Sequence, residues 1–348
     1  MFKFQVSNII YQPNDTVTIT FRDLSRSYPK PKAGQFLTLC FTFGEREVRR
    51  SYSFSSSPDV DEPLAITVKR IDNGEISRLL HHQTKVGDML DVLEPQGIFY
   101  YSPQPQPKKK TVFLFGAGIG ITPLFSILKT ILIREENTKV VLIYSNASAE
   151  RTVFYQELKK WEAQYPERLN IVWIFSNAKN LLQARLNREY LLRIVTDRYE
   201  EGDDALFYTC GPIFYMDLVR FTLLGMGFPD NNIRKETFHF PEEEADDDEH
   251  EEEVVDKNSY PTILRFQGVE YNLTIPYNKS ILDVALEHKI KVPYSCKSGM
   301  CSTCISQCTS GGVRMDYNEV LTDREVEDGR CLICVSHPLV EGTTIEVL

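Results

Sequence analysis

The chain has 348 residues, enough for two or three domains, an ordinary 42% of hydrophobic residues, and no apolar run near the ~18 residues of a membrane span. Its formal net charge of −10 belongs to one segment: residues 242–253 hold ten carboxylates in twelve positions, and the remainder is near neutral, so no nucleic-acid partner is expected. Six of the eight cysteines fall between 296 and 334 and Met1 to Val6 reads as a strand, not a secretory leader, so metal ligation in a reducing, cytoplasmic setting is expected rather than disulfides.

Residues 1–104 read as an all-β domain. Short β-rich runs (17–21, 36–40, 51–55 and 65–68) alternate with Pro, Gly, Asn and Asp, which suggests an antiparallel barrel. One helix is expected from about Ser77 through Leu80. Within the barrel, Arg50-Ser51-Tyr52-Ser53-Phe54-Ser55-Ser56 places a cation, rings and hydroxyls in one short stretch, which suits a nucleotide.

Residues 105–240 change pattern. Thr111 to Phe115 is a continuous apolar run, as expected for a strand buried on both faces. Helical stretches (124–133, 154–161, 185–195) then alternate with apolar strands (140–144, 171–175, 205–208), which means a parallel α/β sheet. Between the first strand and helix lies Gly116-Ala117-Gly118-Ile119-Gly120-Ile121-Thr122-Pro123. Glycines there let the backbone approach a pyrophosphate at a helix N-terminus. After the last buried strand comes Thr209-Cys210-Gly211-Pro212, where Cys210 taken alone reads as a packed thiol.

Residues 241–258 form an acidic linker. Such a block repels itself and buries nothing, so it is expected to be extended, with ends on the order of 25 Å apart. Residues 259–348 read as a smaller α+β unit. Two strands (262–266, 271–275) lead into a helix over 280–287, with Ser280 as N-cap and Asp283 as its capping-box partner.

The cysteines follow. Cys296-x4-Cys301-x2-Cys304, then 29 residues, then Cys334, has the plant-type [2Fe–2S] spacing. Gly299 and the small residues around it let the backbone pass close to the sulfurs. Two other readings stay open. The pairs Cys301/Cys304 and Cys331/Cys334 could hold zinc, leaving Cys296 idle, or Cys308 could be the fourth cluster ligand. In the leading reading Cys308 and Cys331 are packed thiols and His337 is structural.

These motifs resemble a known family. Arg50-x-Tyr52-Ser53-x-Ser55, followed by Val68-Lys69-Arg70 and Gly74-Glu75-Ile76-Ser77, resembles the FAD motif of the ferredoxin–NADP reductases. The resemblance implies that Arg50 binds the FAD pyrophosphate, Tyr52 stacks on the isoalloxazine and Ser53 lies near flavin N5. It also implies FAD contacts from Val68, Lys69, Gly74, Ile76 and Ser77, although Asn73 stands where the family has a further glycine. The glycine loop ending in Thr122-Pro123, the Cys210-Gly211-Pro212 segment and Glu236-Thr237-Phe238 are similar to the same family. By that likeness Cys210 and Thr122 lie near the nicotinamide and Glu236 near the flavin, while Gly116, Gly118, Gly120, Pro123, Gly211 and Pro212 contact the nucleotide. Ser148 and Arg151 are candidates for the adenosine ribose, with a lean to NADPH over NADH. Residues 260–348 resemble plant-type ferredoxin, in which the first two cysteines hold one iron and the last two the other.

The order flavin, nucleotide, ferredoxin resembles the reductase components of oxygenases. It implies electron flow from NAD(P)H through FAD and the cluster to an electron-accepting protein. The alternatives are a general reductase serving a desaturase or other partner, and a zinc-bearing interaction protein without enzymatic activity.

Overall fold

The computed structural model describes residues 1–60, 62–104, 109–200, 202–238 and 258–348. The acidic run 242–253 and the linker expected over 241–258, its last residue aside, lie outside the described residues. The chain divides into two compact units, 1–238 and 239–348.

The first unit opens with strands β1 (Phe2–Gln12), β2 (Thr16–Asp23), β3 (Phe36–Phe43), β4 (Arg46–Ser53) and β5 (Ala65–Lys69), then helix α1 (Glu75–His82) and strand β6 (Met89–Val92). These strands form one antiparallel sheet in the order β4-β3-β6-β1-β2-β5. Phe54, one residue past β4, bridges Ile66 of β5, so the two edge strands meet and the sheet closes. The expected run 51–55 therefore stops as a strand at Ser53. Alternation aims Val17, Ile19, Leu37, Leu39, Ile66 and Val68 inward, and all are buried in the barrel core. Helix α1 starts two residues before Ser77, at Glu75, with Gly74 as its N-cap, and plugs Ile76 and Leu80 into that core.

The chain continues with β7 (Lys110–Ala117), α2 (Ile121–Arg134), β8 (Thr138–Asn146), α3 (Tyr155–Gln164), β9 (Leu169–Phe175), α4 (Leu181–Ala184), α5 (Arg188–Thr196), β10 (Asp204–Cys210), α6 (Ile213–Gly225) and β11 (Ile233–Glu236). The five strands are parallel, in the order β11-β10-β7-β8-β9. Central β7 is covered on both faces: Val112 and Leu114 join one core, Phe113 and Phe115 the other. Burying each of these side chains is worth roughly 1.5–3 kcal/mol. The helix expected over 185–195 begins only at Arg188, because the Asn187 side chain caps it by accepting the Tyr190 amide at 2.9 Å.

Barrel and parallel sheet share a core: Ala33, Phe99 and Tyr101 pack with Val112, Leu114 and α2. Buried polar groups pin the junction. Ser126 donates to the Ser56 carbonyl at 2.6 Å, and the Ser57 and Thr130 hydroxyls lie 2.7 Å apart. Lys129 pairs with Glu62 at 2.5 Å. Buried Glu135 accepts from Tyr101 at 2.8 Å and from the Gln104 amide at 2.8 Å, and pairs with Lys110 at 3.2 Å.

The second unit contains β12 (Tyr260–Phe266), β13 (Val269–Ile275), α7 (Ile281–Glu287), β14 (Ile305–Ser310), β15 (Val313–Met315), α8 (Asp323–Glu327), β16 (Arg330–Leu332), β17 (Ser336–Pro338) and β18 (Thr343–Val347). A mixed sheet runs β13-β12-β18-β14-β16, with β15 and β17 as a separate ribbon. The hairpin β12–β13 and the parallel pair β12–β18 make the β-grasp frame. Helix α7 is capped by Ser280 and Asp283 in a reciprocal box, as its sequence predicts. No helix among the described residues is long and apolar enough to cross a membrane.

Candidate functional site

Parallel sheets present ligand sites at the carboxyl ends of their strands, where the strand order reverses. Here β7 runs on through α2 to neighbouring β8, while β10 lies on its other side. Register places Cys210 of β10 opposite Gly116 of β7 and opposite Glu236 of β11. Three sequence-predicted segments that lie far apart in the chain thus meet in one row.

The loop after β7 leaves no space on its inner side. A Cβ on Gly120 would lie 2.1 Å from the Cys210 carbonyl oxygen, and one on Gly211 would lie 2.9 Å from the Ala117 Cβ. Gly118 differs: its φ is +55° and its missing Cβ faces open space. The backbone is bare where a pyrophosphate would approach. Thr122 donates to the Ile119 carbonyl at 3.1 Å, and Pro123 sits buried in the first turn of α2, where a missing amide costs nothing.

Cys210 is fully buried, and burial together with Glu236 pushes its thiol up, so it stands protonated. The Glu236 carboxyl is pushed up to about 8 by burial. Its Oε2 is buried without a hydrogen-bond partner, as are the Thr209 and Thr237 hydroxyls. Buried polar atoms left unpaired in this way suit a ligand that completes them.

On the barrel, Tyr52 and Ser53 end β4, and the Phe54–Ile66 bridge brings them to β5, which carries Val68 and Lys69. Ser53 is buried, and burial pushes the Tyr52 phenol up. Arg50 is exposed and donates to the Arg49 carbonyl at 2.8 Å. The Val68 and Ile76 side chains belong to the barrel core, so these two positions offer a ligand backbone only. Ser77 locks the turn before α1: its hydroxyl accepts from the Ile71 amide at 3.1 Å and donates to the Gly74 carbonyl at 3.2 Å. A Cβ on Gly74 would sit 2.5 Å from that hydroxyl.

Past β8, Arg151 donates to Asn14 Oδ1 in the β1–β2 turn at 2.7 Å. Glu150 is held low by the Ser148 hydroxyl, so an acid stands in this segment beside the arginine. Sequence reasoning missed Asn14, which lies 137 positions from Arg151. It also missed Tyr144, which reads as one more apolar strand position.

In the second unit Cys296, Cys301 and Cys304 lie in the loop between α7 and β14, and Cys334 lies just past β16. Thiol contacts join Cys296 to Cys301, Cys304 to Cys334, and Cys296 to Cys334. Among the described residues no three His, Cys, Asp or Glu side chains group as the ligands of one ion would. A two-iron cluster asks instead for four thiolates around two irons, and this run of contacts brings the four cysteines together. Cys296 is held well below the usual thiol range by those neighbours, and the Ser298 amide donates to its sulfur at 3.4 Å. Gly299, at φ +72°, makes the turn possible, since a Cβ there would lie 2.5 Å from the Tyr317 carbonyl oxygen. Cys331 is fully buried, as a packed thiol should be. Cys308 is only half-buried and donates to the Ser310 carbonyl at 3.4 Å, so it is less packed than expected. His337 holds Asp316 at 2.8 Å.

Comparison with known proteins agrees with this geometry. Residues 14–101 match the family described as an oxidoreductase FAD-binding domain. Residues 114–220 match an oxidoreductase NAD-binding domain, and 264–339 a 2Fe-2S iron-sulfur cluster binding domain. The chain is 31% identical over 350 residues to one of the subunits of 1,2-phenylacetyl-CoA epoxidase from Escherichia coli (strain K12), across 98% of this chain and 96% of that protein. It is 32% identical over 347 residues to the ferredoxin reductase component of 3-ketosteroid-9-alpha-monooxygenase from Rhodococcus rhodochrous, across 98% of this chain and 95% of the relative. The solved structure of phthalate dioxygenase reductase shares the fold, with a TM-score of 0.60 at 23% identity over 99% of this chain and 97% of that one. The chain therefore belongs to the NAD(P)H-dependent FAD/[2Fe–2S] reductases, the family of the reductase components of multicomponent oxygenases.

Proposed function

We propose that this reductase works in the cytoplasm, supplying single electrons to one oxygenase component. The observation that carries the reading is the group of four thiols, Cys296, Cys301, Cys304 and Cys334, in a chain that also matches the flavin, nucleotide and 2Fe-2S domain families. When bound, FAD accepts a hydride from NAD(P)H and the cluster passes electrons on one at a time.

The chain's own residues do the rest. In this reading the bare backbone at Gly116, Gly118 and Gly120 receives the nucleotide pyrophosphate, and Gly211 and Pro212 border the nicotinamide. Cys210, as a neutral thiol, and Thr122 pack against that ring and exclude water. Arg50, Lys69 and the amides opening α1 from Glu75 to Ser77 take the FAD phosphates, next to Gly74, whose own amide donates to the Ile71 carbonyl at 3.0 Å, while Tyr52 and Ser53 orient the flavin ring. Glu236 holds a proton within reach of the flavin site.

NADPH is favoured, because the Arg151 guanidinium is held by the neutral amide of Asn14 rather than by a carboxylate. A 2′-phosphate can compete for it, with Ser148 beside it. Glu150 supports the second reading, NADH, since an acid there accepts from a ribose 2′-OH and repels a phosphate. Arg151→Ala is expected to raise the KM for NADPH about tenfold, the weight of one charge-assisted hydrogen bond, and to leave that for NADH unchanged. Equal effects on the two nucleotides would favour NADH.

The ligand assignment is tested by Cys334→Ser. It is expected to lose cytochrome c reduction while still reducing ferricyanide, which takes electrons from the flavin directly. Cys308→Ser is expected to keep both. Loss of the cluster in Cys308→Ser, with Cys334→Ser intact, would transfer the fourth ligand to Cys308.

A further inference from the structure

Two tyrosines hold the carbonyl side of the glycine loop. Tyr144 on β8 is fully buried, and its hydroxyl donates to the Gly118 carbonyl at 3.0 Å, shared with the Val153 carbonyl at 3.3 Å. Tyr215, in the first turn of α6, donates to the Gly116 carbonyl at 3.3 Å. Their rings pack beside the two segments that meet here, Tyr144 at the end of β7 and Tyr215 at Gly211 after β10. A Cβ on Gly116 would meet the Tyr144 ring at 3.5 Å, and one on Gly211 would meet the Tyr215 ring at 3.4 Å. Burial pushes both phenols up, so both remain donors.

The peptide plane supplies the consequence. In a trans peptide the carbonyl and the following N–H point in opposite directions. With the Gly118 carbonyl drawn toward Tyr144 in the core, the Ile119 N–H of the same plane points the opposite way, away from that hydroxyl. An anion at a helix start needs an N–H presented in that way. The Ile121 amide also donates to the Gly118 carbonyl and Gly116 belongs to β7, so the phenols add to backbone bonds in fixing the planes of this glycine-rich stretch, and any order lost without them would cost binding energy each time a nucleotide arrives.

We infer that Tyr144 and Tyr215 are positioning residues for the nicotinamide nucleotide: their hydroxyls hold the carbonyls of Gly118 and Gly116 and help preset the loop for a pyrophosphate. The inference rests on the reading of residues 116–120 as the pyrophosphate site. It separates the hydroxyls from the rings. The rings pack in any case, but the hydroxyls matter only if loop orientation sets nucleotide affinity.

The test is anaerobic stopped-flow bleaching of the flavin in the holoenzyme at increasing NADPH and NADH, which gives a nucleotide Kd and a limiting rate. Tyr144→Phe keeps the ring and is expected to raise Kd about threefold to tenfold, the weight of one hydrogen bond, with the limiting rate within about twofold. Tyr215→Phe is expected to act the same way more weakly, and the double variant to exceed either. Tyr155→Phe is the packing control, since Tyr155 stacks edge-on against Trp173 at 4.7 Å, on the β9 side of the sheet rather than at the loop. Its Kd is expected to stay at the wild-type value. A double variant with wild-type Kd, or a Tyr155→Phe that weakens binding equally, would overturn the inference. If Tyr144→Phe does not fold, Tyr215→Phe carries the same test at a half-buried position. Gly118→Ala probes the underlying reading. Its Cβ enters the open space and its φ is strained, so Kd is expected to rise at least tenfold. An unchanged Kd there removes the pyrophosphate site itself, and the inference with it. A raised Kd in Gly118→Ala beside an unchanged double variant removes the tyrosines alone.

Discussion

Glu236 shows how a single carboxyl can register the state of the site. Its carboxyl is held up at about 8, against an ordinary value of 4.5, because burial disfavours the charge. Between those two values the native chain keeps a proton that the unfolded chain has released. Stability therefore falls as pH rises through that window, and is insensitive to this group below it. The thermal midpoint of the wild type is expected to drop from pH 5 to pH 8, and Glu236→Gln is expected to flatten the drop. A variant as steep as wild type would place the titration elsewhere. Gly120 is constrained by space alone. Gly120→Ala would push a methyl group against the Cys210 carbonyl at 2.1 Å, and overpacking of this kind costs about 1–3 kcal/mol or more. Urea unfolding is expected to show that loss, and loss of nucleotide binding with it.

Among the secondary-structure elements, α7 connects a cap to the cluster loop. Ser280 and Asp283 cap it reciprocally, and the Leu282 amide of its first turn donates to the Ile333 carbonyl at 2.9 Å, next to Cys334. Ser280→Ala is expected to cost about 1 kcal/mol in denaturant unfolding while the cluster absorption is retained. Loss of the absorption would mean that the helix start, and not only the thiols, sets the ligand geometry. The cap was legible in the sequence because its partners are three residues apart. The glycine loop and the cysteine spacing were legible for the same reason, since each is local. The row Gly116–Cys210–Glu236 needed the sheet order, which local pattern does not contain. Tyr144 was hidden because a tyrosine closing the run Val140 to Ile143 reads as packing, and its hydroxyl acquires a role only when the loop folds over it. The side chains of Val68 and Ile76, expected as ligand contacts by resemblance, turn into the barrel core by alternation and helix face, which leaves their backbone to face a ligand.

The chain in full joins a tied pair of domains to a 2Fe-2S unit. In the first unit, buried bonds from Ser56, Ser57, Glu62 and Tyr101 to α2 and Glu135 tie barrel to sheet, so the FAD-binding and NAD-binding domains are held on one body. The ferredoxin unit must deliver electrons outward, and the sequence between holds ten carboxylates in residues 242–253. Shortening that run is expected to slow turnover with the protein acceptor while leaving flavin reduction unchanged. Undiminished partner turnover would remove any role for its length. Electrons from the nucleotide are expected to pass through the flavin to the cluster held by Cys296, Cys301, Cys304 and Cys334. That path is tested by anaerobic titration of the holoprotein with NADPH, and separately NADH, followed by visible absorption and electron paramagnetic resonance. The flavin bands and the thiolate-to-iron absorption are expected to bleach together while a reduced [2Fe–2S] signal grows, absent in Cys334→Ser. A flavin that bleaches while the iron–sulfur absorption stays oxidised would contradict it.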